Sequence, residues 1–293
     1  MSKAVLKTKI NNKANTSKYQ HLLCPTDFSK DSGNGLKVAA TIAEKSGAHI
    51  TVFHAYKIPF VDEYMPGTMV DTIMKENAEK AEADMRNFLE LSNIDTSNIT
   101  IETRMGFTAE TIAATAEELG ADLIVMSTQG CNSVEDRMFG TVTWNTIKHS
   151  EIPVLAIPHG KQIPEKSNII FPFECNEEDI DVLTQCLDFA KLFSGTVQAI
   201  HFLQDGTVAN KNIINKINTT FRKEIADGIL HLNFVVDKNI TDAITRFAHT
   251  HNAGAIVMVT HHSGLMATIF HMSITRQIAL YNNTPLLAYN SNK

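Results

Sequence analysis

The sequence predicts an α/β protein made of two tandem, open, mostly parallel five-stranded sheets with helices on both faces. Three observations carry that prediction. The chain has 293 residues, too many for a comfortable single core and suited to two cores of roughly 140 residues each. Its second half repeats the first. Within each copy, short apolar runs alternate with longer segments of helical period, the pattern of a parallel sheet covered on both sides.

The repeat is read by superposing segments. 21-HLLCPTDFS-29 falls on 168-NIIFPFECN-176 and 52-VFHAY-56 on 199-AIHFL-203, both at an offset of 147. Further on, 122-DLIVMSTQG-130 falls on 254-GAIVMVTHH-262 and 152-IPVLAIP-158 on 284-TPLLAYN-290, at an offset of 132. The second copy therefore has fifteen fewer residues between its second and fourth strands. One long-period duplication indicates two domains and not a solenoid. The boundaries are a polar tail over 1–18, a first domain over 19–158, a polar linker over 159–167 containing Pro164, and a second domain over 168–293.

In the first copy, strands are expected near 20–25, 49–55, 98–104, 122–127 and 153–157. Between them, Asp71 to Leu91 places Met74, Ala78, Ala81, Met85 and Phe88 on one helical stripe that faces the core. The preceding 57–70, with Pro59, Pro66 and Gly67, reads as a long surface loop.

Composition narrows the function. A formal net charge of -6 gives no general attraction for nucleic acid. No stretch approaches the roughly 20 apolar residues of a membrane span, and the N-terminal segment lacks the apolar core of a secretory signal, so a cytoplasmic protein is expected. Cys24, Cys131, Cys175 and Cys186 form no CxxC pair and are read as reduced thiols.

In open parallel sheets ligands bind beyond the carboxyl ends of the strands. Asp27 stands there after the first strand, either to accept hydrogen bonds from ribose hydroxyls or an amino group, or to cap the next helix. After the fourth strand, 127-STQGCNSVEDRMFGT-141 carries Gly130 and Gly140 ahead of a helix that starts near Thr141. Such a helix start attracts phosphate, and Ser127, Thr141 and Thr143 offer hydroxyls; alternatively the glycines serve only as turn and cap.

Taken together, these segments resemble the ATP-binding universal stress proteins, which carry PTDFS after the first strand and Gly-x2-Gly-x9-Gly-Ser/Thr after the fourth. Here Pro25, Thr26, Asp27, Phe28 and Ser29 reproduce the first motif, and Ser127-x2-Gly130-x9-Gly140-Thr141 the second, with Ser127 replacing a glycine. The resemblance covers both halves and implies the Rossmann-like fold of the adenine-nucleotide α-hydrolases. It also implies that Asp27 and the backbone near Ala55 hold adenosine, while Gly130, Gly140, Thr141, Val142 and Thr143 hold the phosphates of ATP. Mg²⁺ would arrive with those phosphates, since no dedicated metal cage is visible. In the second copy Glu174, Val259, His262 and Met272 stand at the Asp27, Ser127, Gly130 and Gly140 positions, and only Ser273 survives. That half is expected to be structural.

The expected function is ATP binding coupled to stress or energy signalling. A slow ATPase or autophosphorylating enzyme and a nucleotide-free dimerisation scaffold are the alternatives. No base or arginine aimed at a γ-phosphate is identifiable, so hydrolysis is expected to be slow at most. The resemblance further implies that the halves pair through 153-PVLAI-157 and 285-PLLAY-289, in the manner of a family dimer, with a homodimer of chains also open. Several signals are discounted. Gly33-x-Gly35 has Val38 where a dinucleotide fingerprint has glycine, and no P-loop or kinase signature occurs. His249, His251, His261, His262 and His271 lack a recognised metal spacing. His54 and His201 occupy equivalent strand ends and are assigned packing or hydrogen-bonding roles, and Cys131 reads as an inert loop thiol.

Overall fold

A computed structural model describes residues 17–57, 64–128, 140–203, 209–261, 274–275, 277–278 and 283–291. The first half runs β1 (His21–Pro25), α1 (Lys30–Ser46), β2 (His49–Tyr56), α2 (Gly67–Ser92), β3 (Ile99–Met105), α3 (Thr108–Glu118), β4 (Leu123–Ser127), α4 (Thr141–His149) and β5 (Val154–Ile157). The second runs β6 (Asn168–Phe173), α5 (Glu178–Leu192), β7 (Thr196–Leu203), α6 (Lys211–Thr220), α7 (Arg222–Ala226), β8 (Leu230–Val236), α8 (Ile240–Thr250), β9 (Ala253–His261) and β10 (Leu286–Ser291).

Strands buried on both faces read as continuous apolar runs, and their alternate residues feed two separate layers. Leu22, Cys24, Val52, Leu123, Val125, Leu155 and Ile157 pack on one face with Leu36 and Ile42 of α1 and Met85 of α2. Leu23, Phe53, Ile124, Met126, Val154 and Ala156 pack on the other with Ile112 of α3 and Ile147 of α4. The second half repeats the division, α5 and α6 lying on the first face and α8 on the second. Of the α2 stripe, Ala81 and Met85 are buried while Met74, Ala78 and Phe88 are half-buried, so this long helix covers the sheet by only part of its length. Its first residues, 67–70, are helical where the sequence suggests loop. Pro66 supplies a fixed φ at the start, and its carbonyl accepts from the Met69 and Val70 N–H groups.

The ten strands form one sheet in the order β3-β2-β1-β4-β5-β10-β9-β6-β7-β8. Every pairing is parallel except β5 with β10, which are antiparallel with Leu287 opposite Leu155. Equivalent residues keep equivalent registers: Leu22 pairs with Leu123 and Leu23 with Ile124, as Ile169 pairs with Ala255 and Ile170 with Ile256. The shortening of the second copy falls between its second and third strands, where 57–98 of the first copy corresponds to 204–229. There α6 and α7 replace the single long α2.

The linker is packed, although its composition is polar. Ile163 and Ser167 are buried. Asn34 of α1 donates from Nδ2 to the Lys161 carbonyl at 2.9 Å and accepts from Gln162 Nε2 at 2.7 Å. At the far end of α1, Lys45 pairs with Glu165.

Candidate functional site

The strand order reverses direction between β1 and β4, because β1, β2 and β3 extend one way and β4 and β5 the other. At such a reversal the loops leaving neighbouring strands diverge and open a crevice at the carboxyl edge. The segments after β1 and β4 flank it, and they carry Asp27 on one side and Ser127, Gly140 and Thr141 on the other.

The β1–α1 turn is held by hydrogen bonds. Thr26 N–H donates to the Phe53 carbonyl at 2.8 Å, and Thr26 Oγ1 accepts from the Phe28 N–H at 2.9 Å and meets Ser32 Oγ at 2.9 Å. Phe28 takes φ 64°, a left-handed value that the Thr26 bond helps to hold. Pro25 and Thr26 are buried, whereas Asp27 is exposed. Asp27 Oδ1 accepts from the Ser29 N–H at 3.1 Å, but the helix cap is Ser29, whose Oγ accepts from the Ser32 N–H at 3.1 Å. The capping alternative for Asp27 therefore falls to its neighbour. His54 of β2 donates from Nδ1 to the Thr26 carbonyl at 2.7 Å and packs against Phe28 at 4.3 Å between ring centroids, the rings tilted by 33°. Ala55 follows it in β2, half-buried and paired with Arg104.

On the other side, Ser127 ends β4 and is almost buried at 9% exposure. Gly35 lies so close that an added Cβ would stand 3.2 Å from the Ser127 nitrogen. That contact, and not a dinucleotide fingerprint, explains a glycine in α1. Gly140 is the N-cap of α4, its N–H donating to the Thr128 carbonyl at 2.5 Å. A Cβ on Gly140 would meet the Thr128 carbonyl oxygen at 2.9 Å, so close an approach requires glycine. With glycine at the cap, the cap residue has no side chain to bond the first-turn N–H groups of α4. Thr141 and Val142 at that end are exposed. Thr143 is buried and its Oγ1 donates to the Ser127 carbonyl at 2.8 Å, so the hydroxyl fastens α4 to β4. Gly130 and Cys131 lie outside the described residues.

Residues 18–158 match the model of the universal stress protein family. That half is similar to the universal stress protein family. A universal stress protein of Methanocaldococcus jannaschii is 29% identical over 147 residues, covering 49% of this chain and 85% of the relative. One from Thermus aquaticus is 27% identical over 139 residues, covering 47% and 98%. A solved universal stress protein of Archaeoglobus fulgidus has the same fold over 94% of this chain and 97% of its own, with a TM-score of 0.68 at 18% identity. The universal stress protein fold thus extends over both halves.

In the second half the same turn is rebuilt with different chemistry. Cys175 takes φ 64° at the place of Phe28. His201 donates from Nδ1 to the Phe173 carbonyl at 3.0 Å, as His54 does to Thr26. The hydrogen-bonding role assigned to this histidine pair is therefore seen twice. Asn176, in the place of Ser29, accepts from the Asp179 N–H at 3.0 Å, one residue ahead of Glu177, the N-cap of α5. Asp179, in the place of Ser32, accepts from the Asn176 N–H at 2.7 Å and the Glu174 N–H at 3.2 Å. Burial, aided by the nearby Glu174 charge, pushes its carboxyl up to about 6. Asp179 is not singled out by any motif, but the 147-residue offset that aligns the two turns leads to it. His262, Met272 and Ser273 lie outside the described residues. Phe247 stacks on His251 at 3.8 Å. Among the described residues no group of His, Cys, Asp and Glu is placed to hold a metal ion, and no helix is long and apolar enough to cross a membrane.

Proposed function

We propose that the first half binds ATP in the crevice between β1 and β4 and acts as a binding module for stress or energy signalling. The observation that carries this reading is the start of α4. It is a helix N-terminus with no side-chain cap, preceded by a glycine that the Thr128 carbonyl makes irreplaceable, at the point of sheet reversal opposite Asp27. Backbone N–H groups and the helix dipole together favour a phosphate there. Asp27, held by the Ser29 N–H, supplies an acceptor for ribose hydroxyls, with the Ala55 backbone alongside. Thr141, Val142 and the Thr143 N–H complete the phosphate side, and Mg²⁺ enters bound to those phosphates. The phosphates supply the charge, and the chain's residues bind and orient the nucleotide.

The antiparallel β5–β10 seam supports reading the chain as two paired domains, the second of which lacks a nucleotide site. A homodimer of chains would then use other surfaces. The buried thiols of Cys24, Cys175 and Cys186 accord with a cytoplasmic setting.

Titration calorimetry of the full chain with Mg²⁺ and ATP is expected to give one site. Asp27→Ala should weaken it at least tenfold without changing the unfolding midpoint, because the residue is exposed. Gly140→Ala should abolish binding and destabilise the fold by about 1–3 kcal/mol through the clash with Thr128. Two equivalent sites, or undiminished binding in both variants, would overturn the reading.

A further inference from the structure

The ten-stranded sheet ends at β3 on one side and at β8 on the other. Open strand edges invite pairing with another chain, and charged side chains are one common means of blunting them. β3 is blunted in this way: Arg104 pairs with Glu102 of the same strand and with Glu118 of α3. β8, with the sequence LHLNFVV, contains no Asp, Glu, Lys or Arg. Among the described residues it pairs with β7 alone. Its last apolar residues stand in the open, Phe234 at 43% and Val236 at 65% exposure. We propose that β8 is an interface between two copies of this chain, joined edge to edge as an antiparallel strand pair centred on Asn233.

The backbone fixes the register. The Val197 N–H donates to the Ile229 carbonyl at 2.7 Å, so Ile229 and the alternate residues His231, Asn233 and Val235 turn their backbone groups toward β7. Leu230, Leu232, Phe234 and Val236 therefore turn theirs outward. A two-fold axis at Asn233 sets Leu230 against the partner's Val236 and Leu232 against the partner's Phe234. These are the outward residues, so each becomes a hydrogen-bonded pair and the outer groups of the strand are all used. Their side chains share one face, on which Leu230 and Leu232 already join the core layer of Phe173. The partner's strand would extend that apolar layer over Phe234 and Val236. Because the strand is uncharged, pairing it with itself opposes no like charges. The chain already joins its own halves by this device, since β5 and β10 are uncharged strands that meet as antiparallel edges. A single strand pair buries less than the roughly 1,200 Å² of a standard interface, so the association is a weak, micromolar one. It uses no residue of the first half and is independent of the nucleotide reading.

Sedimentation velocity of the full chain, from low micromolar to several hundred micromolar, should show a reversible monomer–dimer equilibrium. Val236→Lys places a charge on the exposed edge and should weaken the dimer at least tenfold with the unfolding midpoint unchanged. Phe107→Lys, at an exposed residue just beyond the opposite edge strand β3, should leave it as it is. Cysteine cross-linking reads the register. Directly opposite residues of a non-hydrogen-bonded pair have Cα atoms about 4.5 Å apart, within disulfide reach. Asn233→Cys should therefore form a covalent dimer under mild oxidation, well above the wild-type background. His231→Cys, whose own counterpart lies farther along the pairing, should not. A chain that stays monomeric throughout the range would overturn the proposal, and an edge already occupied by another segment of the chain would give that result. A dimer that Val236→Lys leaves undiminished, or His231→Cys cross-linking as fast as Asn233→Cys, would overturn it equally.

Discussion

Asp179 shows how one side chain changes the character of a repeated turn. Its counterpart Ser32 contributes a neutral hydroxyl to the network around Thr26, whereas Asp179 places a carboxyl in a nearly dry position. The folded state holds that proton up to about pH 6, against an ordinary aspartate value of 3.8. Between those values the folded state carries more protons than the unfolded one, so this group's contribution to stability falls as pH rises through the window. At about 1.4 kcal/mol per pH unit, the effect reaches at most about 3 kcal/mol. Asp179→Asn removes the titration and keeps an acceptor for the two N–H groups. Chemical denaturation of both proteins at pH 4 and pH 7 should show the variant gaining relative to the wild type as pH rises. A difference independent of pH would show that burial does not perturb this carboxyl. Glu174, Cys175, Glu178 and His201 surround it in both measurements, so their contributions largely cancel.

The strand ends behave as a repeated device at the scale of elements. In both halves a histidine near the end of the second strand donates to the carbonyl that follows or ends the first, tying β2 to β1 and β7 to β6. The left-handed residues Phe28 and Cys175 sit two positions after those carbonyls. A device present in both copies, one with the phosphate motif and one without, belongs to the fold. His54→Ala and His201→Ala should each cost about 1–2 kcal/mol in unfolding free energy, the value of a partly buried hydrogen bond with its packing. ATP affinity should fall in the first variant and stay unchanged in the second. Loss of ATP binding in His54→Ala with full stability would instead make that histidine a ligand-contacting residue.

For the molecule as a whole, the seam decides the cooperativity. Leu155 and Leu287 are fully buried across β5 and β10, and both belong to the core layer that also holds residues of α1 and α5. The beginning and end of the described chain meet in the same layer. Tyr19 and Tyr289 bring their hydroxyls to 3.4 Å, both buried, and Asn290 donates to the Ser150 carbonyl at 2.9 Å. Removing one tyrosine hydroxyl strands the other without a partner, which costs about 1–3 kcal/mol, whereas removing both is close to neutral. Tyr19→Phe and Tyr289→Phe should each lower the midpoint of a single unfolding transition, and the double variant should recover most of the loss. Two separate transitions, or additive effects of the two substitutions, would show that the halves unfold independently.

The sequence by itself determined the α/β class, the duplication and the strand positions of the first copy, because apolar runs and helical stripes reflect local burial on a repeating lattice. It also brought Asp27, Gly140 and Thr141 forward as site residues, since turn chemistry and glycine placement are local. The packing of Gly35 on Ser127, the burial of the Thr143 hydroxyl and the folding of a polar linker onto α1 needed the tertiary structure. Each depends on residues far apart in the chain. So does the cavity at the carboxyl ends of β6, β7 and β9, whose described walls join Phe173, Phe202 and Met258. Spacing along a chain reports which residues share a face, whereas the space left between elements is set only when distant faces meet.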